Sequence, residues 1–174
     1  MKEGARNSLI LMGISGLVIG LDQWTKYLVQ QNLQIGEFWA PFPAIGSFFR
    51  FLHWHNTGAA FGIFQNANTI LMILSAVVAI VIVVVYHKMA WSDMLARVAL
   101  ALQFGGAIGN LIDRIRQGYV TDFVAVGNFP IFNVADSAVT VGVGLLLLAM
   151  IIEEKLRKCS AVISDDLSSS VEEN

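Results

Sequence analysis

Residues 69–86 read TILMILSAVVAIVIVVVY, 18 positions without a charge. At 1.5 Å per residue a helix over this run is about 27 Å long, close to the ~30 Å hydrocarbon core of a bilayer. Outward from it lie three more charge-free, largely apolar stretches at 7–21, 98–112 and 137–152, of 15, 15 and 16 residues. Each is slightly short of a span, so each helix must extend into its flanks. The expected helices cover about 7–26, 69–86, 94–113 and 134–152. Extension draws Asp22, Lys26, Asp113 and Asp136 to the bilayer boundary, where ionisable groups need partners.

Composition agrees with a membrane class. Of 174 residues 56% are hydrophobic and 14% charged, against roughly 25% charged in average soluble domains. Eleven basic and 13 acidic residues leave a net charge of −2, with no basic surplus for nucleic acid. One cysteine, Cys159, excludes an intrachain disulfide and a multi-thiolate metal site. The first stretch, preceded by Lys2 and Arg6, also has the look of a secretory signal peptide. Gly20-Leu21-Asp22-Gln23 is a poor cleavage site, and three spans follow, so the helix is expected to be retained.

Orientation follows from the basic residues. Lys2, Arg6, Lys88, Arg97, Lys155, Arg157 and Lys158 fall on one side, Lys26, Arg50, Arg114 and Arg116 on the other. Seven against four places both termini in the cytoplasm. Asp22, Asp113 and Asp136 then all lie at the outer face. The expected fold is an all-α membrane protein of four transmembrane helices with an extracytoplasmic loop subdomain. Residues 1–159 form one membrane-embedded domain, and the Ser/Asp/Glu-rich residues 160–174 read as a disordered cytoplasmic tail.

The outer loop, residues 28–68, is too long for a simple connector. It carries Pro41, Pro43 and many aromatics. Residues 38–42 read as an interfacial segment, and 49–55, FRFLHWH, alternate enough for a short β-strand or hairpin. Its aromatics fit an interfacial belt and a substrate-lining surface equally. Gly16-x-x-x-Gly20 and Gly105-x-x-x-Gly109 permit close helix approach.

Five polar constellations stand out. In Asp22-Gln23-Trp24-Thr25-Lys26 the acid and base are i, i+4 and can pair; alone, this reads as an ion pair anchoring a helix end. Asn56-Thr57-Gly58-Ala59-Ala60-Phe61-Gly62 lets backbone approach a ligand, although a turn into the second helix explains its spacing as well. In Gly105-Gly106-Ala107-Ile108-Gly109-Asn110-Leu111-Ile112-Asp113-Arg114, Asn110 and Asp113 share a face, with Arg114 placed to neutralise Asp113 or a neighbouring carboxylate. Val120-Thr121-Asp122-Phe123 and Phe132-Asn133-Val134-Ala135-Asp136-Ser137 belong together. Asp122 lies in a short outer loop, and Asn133 caps the fourth helix with Asp136 three residues on, as in a capping box. The loop between them can bring both carboxylates together, and such a pair can share a proton.

Rival chemistries find less support. His53 and His55 lie in the outer loop and His87 on the inner side, away from a serine–histidine arrangement. No H-E-x-x-H is present, and His53-x-His55 lacks a third metal ligand. A small channel would line a path inward, but residues 80–85 and 145–152 are wholly apolar. A Mg²⁺-dependent phosphotransferase would be sensitive to chelators.

From Leu21 to Thr140 the chain resembles lipoprotein signal peptidases, the type II signal peptidases of bacteria. The resemblance rests on D-Q-x-T-K, N-T-G-A-A-F, G-G-A-I-G-N-L-I-D-R, V-T-D-F and F-N-V-A-D-S in that order, without departure. It implies an aspartic endopeptidase of the cytoplasmic membrane, using no metal or cofactor. The implied reaction removes the signal peptide of a prolipoprotein on the N-terminal side of a diacylglyceryl-modified cysteine. Asp122 and Asp136 match the catalytic pair; Asp22, Lys26, Asn56, Asn110, Asp113, Arg114 and Asn133 match residues that shape and support the site. Implied partners are the lipid-modified substrate, membrane lipids and, as inhibitors, cyclic peptides of the globomycin type.

Overall fold

The architecture is described from a computed structural model covering residues 3–58, 68–88 and 94–172. Four helices, α1 (Glu3–Asn32), α2 (Asn68–Lys88), α3 (Met94–Gln117) and α4 (Val134–Glu172), account for most of it. Each contains a segment long and apolar enough to cross a membrane. Strands β1 (Phe38–Trp39), β2 (Phe49–Asn56) and β3 (Val120–Val126) form one antiparallel sheet in that order. A 3₁₀ turn at Pro43–Ile45 joins β1 and β2.

Helix α3 is the centre of the bundle and packs on the other three. Inside its span 44% of residues are buried, against 17–22% in the others. Small residues make this possible, since lipid supplies no hydrophobic drive between helices and association depends on close packing. A Cβ on Gly105 would meet Val18 and Ser15 of α1, and one on Gly106 would strike the Ala135 carbonyl of α4. A Cβ on Gly109 would stand 2.7 Å from an Asp22 carboxylate oxygen. The expected contact motif in α3 is therefore used. Among the described residues nothing lies within 4 Å of such a Cβ on Gly16 or Gly20; their motif is not used for close helix approach there, and α1 meets α3 through Ser15, Val18 and Asp22 instead. Away from the site, Leu11, Ile82, Tyr86, Leu100 and Ala101 form the apolar core between α1, α2 and α3. Much of α2, including Ile70, Leu74 and Val77, faces outward, as a lipid-facing helix requires.

Three elements differ from expectation. Helix α1 continues to Asn32, so residues 28–32 are helix and the outer loop starts later. Residues 120–126 are a strand, where a short loop was expected around Asp122. The run V-T-D-F-V-A-V has the β-branched content of a strand, but its partner lies some 70 residues earlier, beyond the reach of local pattern. Lastly, α4 runs as helix through Glu172, although a disordered tail was expected from 160. No glycine or proline follows Gly144, so a helix already nucleated in the membrane propagates outward. Residues 153–160 are all exposed.

The expected strand at 49–55 is β2. It pairs Trp54 with Asp122, His55 with Thr121 and Asn56 with Val120, after an irregularity between Phe51 and Trp54. On β2 that interval holds one residue more than on β3, a bulge of the kind that re-aims side chains beside functional sites. The sheet thereby covers the end of the bundle where α1 and α3 finish and α4 begins.

Candidate active site

Five elements, α1, α3, α4, β2 and β3, converge at that end of the bundle, starting from Lys26. Its ammonium is buried, with 1% of the residue exposed, and has three donors to satisfy. All three find oxygen: Asp22 Oδ2 at 2.8 Å, Asp113 Oδ2 at 3.0 Å and Asn110 Oδ1 at 3.0 Å. The expected i, i+4 pair of Asp22 and Lys26 is present and is extended into α3. Arg114 was expected to neutralise Asp113 or a neighbouring carboxylate. Lys26 takes Asp113, and among the described residues Arg114 forms no ion pair within 4.0 Å. Its guanidinium reaches the Asn110 and Gly58 carbonyls at 3.5 Å.

The two carboxylates paired with Lys26 also carry structure. Asp22 Oδ1 accepts the Ala135 N–H at 2.9 Å, fixing the first turn of α4 to α1. Asp113 Oδ2 accepts the Thr121 N–H at 3.1 Å, fixing β3 to α3 one residue before Asp122. Both bonds join a buried charge to the backbone next to Asp136 and Asp122.

Asn133 joins those two carboxylates. Its Oδ1 accepts the Asp136 N–H at 2.9 Å and its own N–H donates to Asp136 Oδ2 at 3.3 Å, completing the expected capping box. Its Nδ2 donates to Asp122 Oδ1 at 2.7 Å and to Asn110 Oδ1 at 3.1 Å. Asn110 Nδ2 in turn donates to Asp136 Oδ1 at 2.7 Å. From the other side Asn56 Nδ2 donates to Asp122 Oδ2 at 2.8 Å, while its Oδ1 accepts the Gly58 N–H. Residues 59–62 of the Asn56 motif lie outside the described residues.

Asp122 is 1% exposed. Burial, reinforced by the negative charge of Asp136, pushes its carboxyl up to about 7, against the donated bonds of Asn56 and Asn133. A carboxyl in this state can hold a proton near neutrality and release it.

Asp22, Lys26, Asn56, Asn110, Asp113, Arg114, Asp122, Asn133 and Asp136 thus belong to one connected cluster. Its roles include more than the motifs disclosed. Gln23 Nε2 lies 2.9 Å from Asp113 Oδ1 and 3.2 Å from Asp22 Oδ2, bracing both acids. Gln30 Nε2 donates to Thr121 Oγ1 at 2.7 Å, and Gln117 does so at 3.1 Å. Gln23 stood inside a quoted motif; Gln30 and Gln117 had no signal beyond polarity at a helix end. His53 and His55 lie outside this network. His53 Nδ1 is 2.9 Å from the Leu33 carbonyl oxygen, and His55 stacks on Tyr119 at 3.6 Å.

A four-span bundle with buried carboxylates gathered at one end matches a known class of membrane peptidase. The sequence profile of signal peptidase (SPase) II matches residues 14–152. Lipoprotein signal peptidase of Halalkalibacterium halodurans is 47% identical over 146 residues, covering 82% of this chain and 92% of that protein. That of Moorella thermoacetica is 44% identical over 130 residues, 75% and 85% of the two chains. A bacterial membrane enzyme structure obtained by the in meso method at 2.3 Å resolution superposes with TM-score 0.76 at 34% identity, covering 83% of this chain and 88% of that one. The chain belongs to the signal peptidase II family, and is a membrane peptidase of the aspartic class.

Proposed function

We propose that Asp122 and Asp136 are the catalytic pair of a peptidase that frees prolipoproteins of their signal peptides. Cleavage falls on the N-terminal side of a cysteine bearing a diacylglyceryl group. The observation that carries this reading is the position of Asn133, whose one side chain bonds Asp122 and caps the turn holding Asp136. Formal charge supports a shared proton. Asp22, Asp113, Asp122 and Asp136 are four acids beside two cations, Lys26 and Arg114, so full ionisation would leave an uncompensated charge of −2.

In this reading Asp122 rests protonated and Asp136 ionised, at a helix N-terminus that favours an anion. A water between them attacks the scissile carbonyl carbon. Asp136 takes the water proton as Asp122 gives its own to the carbonyl oxygen. When the tetrahedral intermediate collapses, the C–N bond breaks and Asp136 passes its proton to the leaving amine. The hydroxyl proton returns to Asp122, restoring the pair. Lys26, Asn110, Asn56 and Asn133 hold the carboxylates in place, while Asp22 and Asp113 tie α4 and β3 to the same lysine. No metal or cofactor takes part.

The enzyme is placed in the bacterial cytoplasmic membrane with both termini inside and the pair at the outer face, as the seven-to-four asymmetry of basic residues supports. There the pair would meet a substrate whose lipid lies in the outer leaflet, among membrane lipids. Globomycin-type cyclic peptides would compete for the site. The test is cleavage by the purified protein, with chelator present, of a prolipoprotein peptide carrying the diacylglyceryl cysteine. Cleavage before that cysteine, and none of the unmodified peptide, supports the reading; chelator sensitivity or indifference to the lipid contradicts it.

A further inference from the structure

Trp54 of β2 stands directly opposite Asp122 of β3, and the chemistry above leaves it unused. Cross-strand partners project from one face of a sheet, with Cβ atoms about 4.5–5.5 Å apart. Asn56, two residues further along β2 and so on the same face, fixes that side, because it donates to Asp122 Oδ2 at 2.8 Å. The Trp54 indole is therefore a large, mainly apolar group beside the Asp122 carboxyl.

The irregularity in β2 is what puts it there. Phe49, Arg50 and Phe51 pair with Val126, Ala125 and Val124. Continued without a break, that register would set His53 opposite Asp122 and Trp54 opposite Thr121. The extra residue moves the pairing by one, and a one-residue shift exchanges the two faces of a strand. His53 is turned away to a buried place, with Nδ1 2.9 Å from the Leu33 carbonyl oxygen. Trp54 takes the position facing Asp122 and keeps 48% of its surface exposed. That surface is free to meet a substrate, and an indole has only two side-chain torsions, so it makes a firm wall at small entropic cost.

We propose that Trp54 limits the size of the substrate residue that supplies the scissile carbonyl, the one before the modified cysteine. This deepens the functional reading and rests on Asp122 as the group that protonates the carbonyl oxygen. Proton transfer requires that oxygen within hydrogen-bond reach of Asp122. The α-carbon of the same residue is bonded to the carbonyl carbon, so its side chain leaves the backbone close to Asp122 and meets the indole. A methyl group fits in front of the ring, whereas a branched four-carbon side chain collides with it. Discrimination by such an apolar wall is worth about 10–200-fold per methylene at most, which sets the scale of the effect.

The test uses the full-length protein in detergent as wild type, Trp54→Phe and Trp54→Ala, each with a matched thermal melt. The substrates are two diacylglyceryl-modified prolipoprotein peptides that differ only in carrying alanine or leucine before the cysteine. The wild type should cleave the leucine peptide with kcat/KM about 100-fold below that of the alanine peptide. In Trp54→Ala the gap should close to about tenfold or less because the leucine peptide gains, and Trp54→Phe, which keeps a smaller wall, should fall between. An unchanged gap in Trp54→Ala would overturn the proposal, since the limit would then be set elsewhere. An equal loss on both peptides would overturn it too, leaving the ring as a support of the sheet, as would a wild type indifferent to the two side chains. If the wild type cleaves neither peptide, the functional reading fails and the proposal falls with it.

Discussion

Asn133 donates to Asp122 at 2.7 Å from the same side chain whose oxygen caps the first turn of α4 at Asp136. A single neutral residue thus sets the separation of two acids that come from a strand and a helix.

This dual role can be divided by substitution. Asn133→Ala removes both functions and should lower stability by about 1 kcal/mol through the lost cap, besides ending cleavage. Asn133→Ser restores a capping oxygen but cannot donate from an amide to Asp122. It is expected to melt close to the wild type while its kcat stays about 100-fold down, the scale of a misplaced catalytic group. Thermal melts and initial rates in one detergent check the pair; full activity in Asn133→Ser would show that the amide bond to Asp122 is dispensable.

Lys26 stabilises by satisfying acids that would otherwise be stranded. Lys26→Met leaves Asp22 and Asp113 buried without their cation and should cost about 3–5 kcal/mol. Adding Asp22→Asn and Asp113→Asn removes the stranded charges, so the triple variant should melt above the single one. A triple variant no more stable than Lys26→Met would contradict the charge argument.

Stability should depend on pH through Asp122. Its carboxyl titrates near 3.8 unfolded and at about 7 folded, so between those values the folded chain binds more protons. Stability then falls as pH rises from about 4 to 7 and levels off above. Asp122→Asn removes this contribution. Its Tm relative to the wild type should increase steadily across that window, and a pH-independent difference would refute the assignment.

The glycines of α3 and α1 give a contrast. Gly109→Ala would drive a methyl towards Asp22 and should cost about 1–3 kcal/mol by overpacking. Gly16→Ala and Gly20→Ala, facing open space, should be neutral or slightly stabilising because alanine is the better helix former. Equal effects in both helices would mean that α3 does not pack this closely.

What the sequence disclosed follows the range of the interaction. The four spans, the Asp22–Lys26 pair and the capping box at Asn133 are local patterns of period 3 to 4, and all are present. β2 was visible as alternation in residues 49–55. β3 was not, because its pairing with β2 crosses two helices and its central aspartate does not look like strand. The choice of Lys26 over Arg114 as partner for Asp113 could not be read from spacing, which favoured the immediate neighbour. It depends on α1 and α3 lying close enough at Gly109 for a lysine to cross. The Gln30–Thr121–Gln117 contacts likewise exist only once β3 is laid over the helix ends.

The most direct measurement is single-turnover cleavage of a diacylglyceryl-modified prolipoprotein peptide by Asp122→Asn and Asp136→Asn, each matched by a thermal melt. Both variants should be folded and inactive, with less than about 0.1% of the wild-type rate, a barrier rise of at least ~4 kcal/mol. If either folded variant cleaves at more than a few per cent of that rate, the residue it replaces is not half of a catalytic pair.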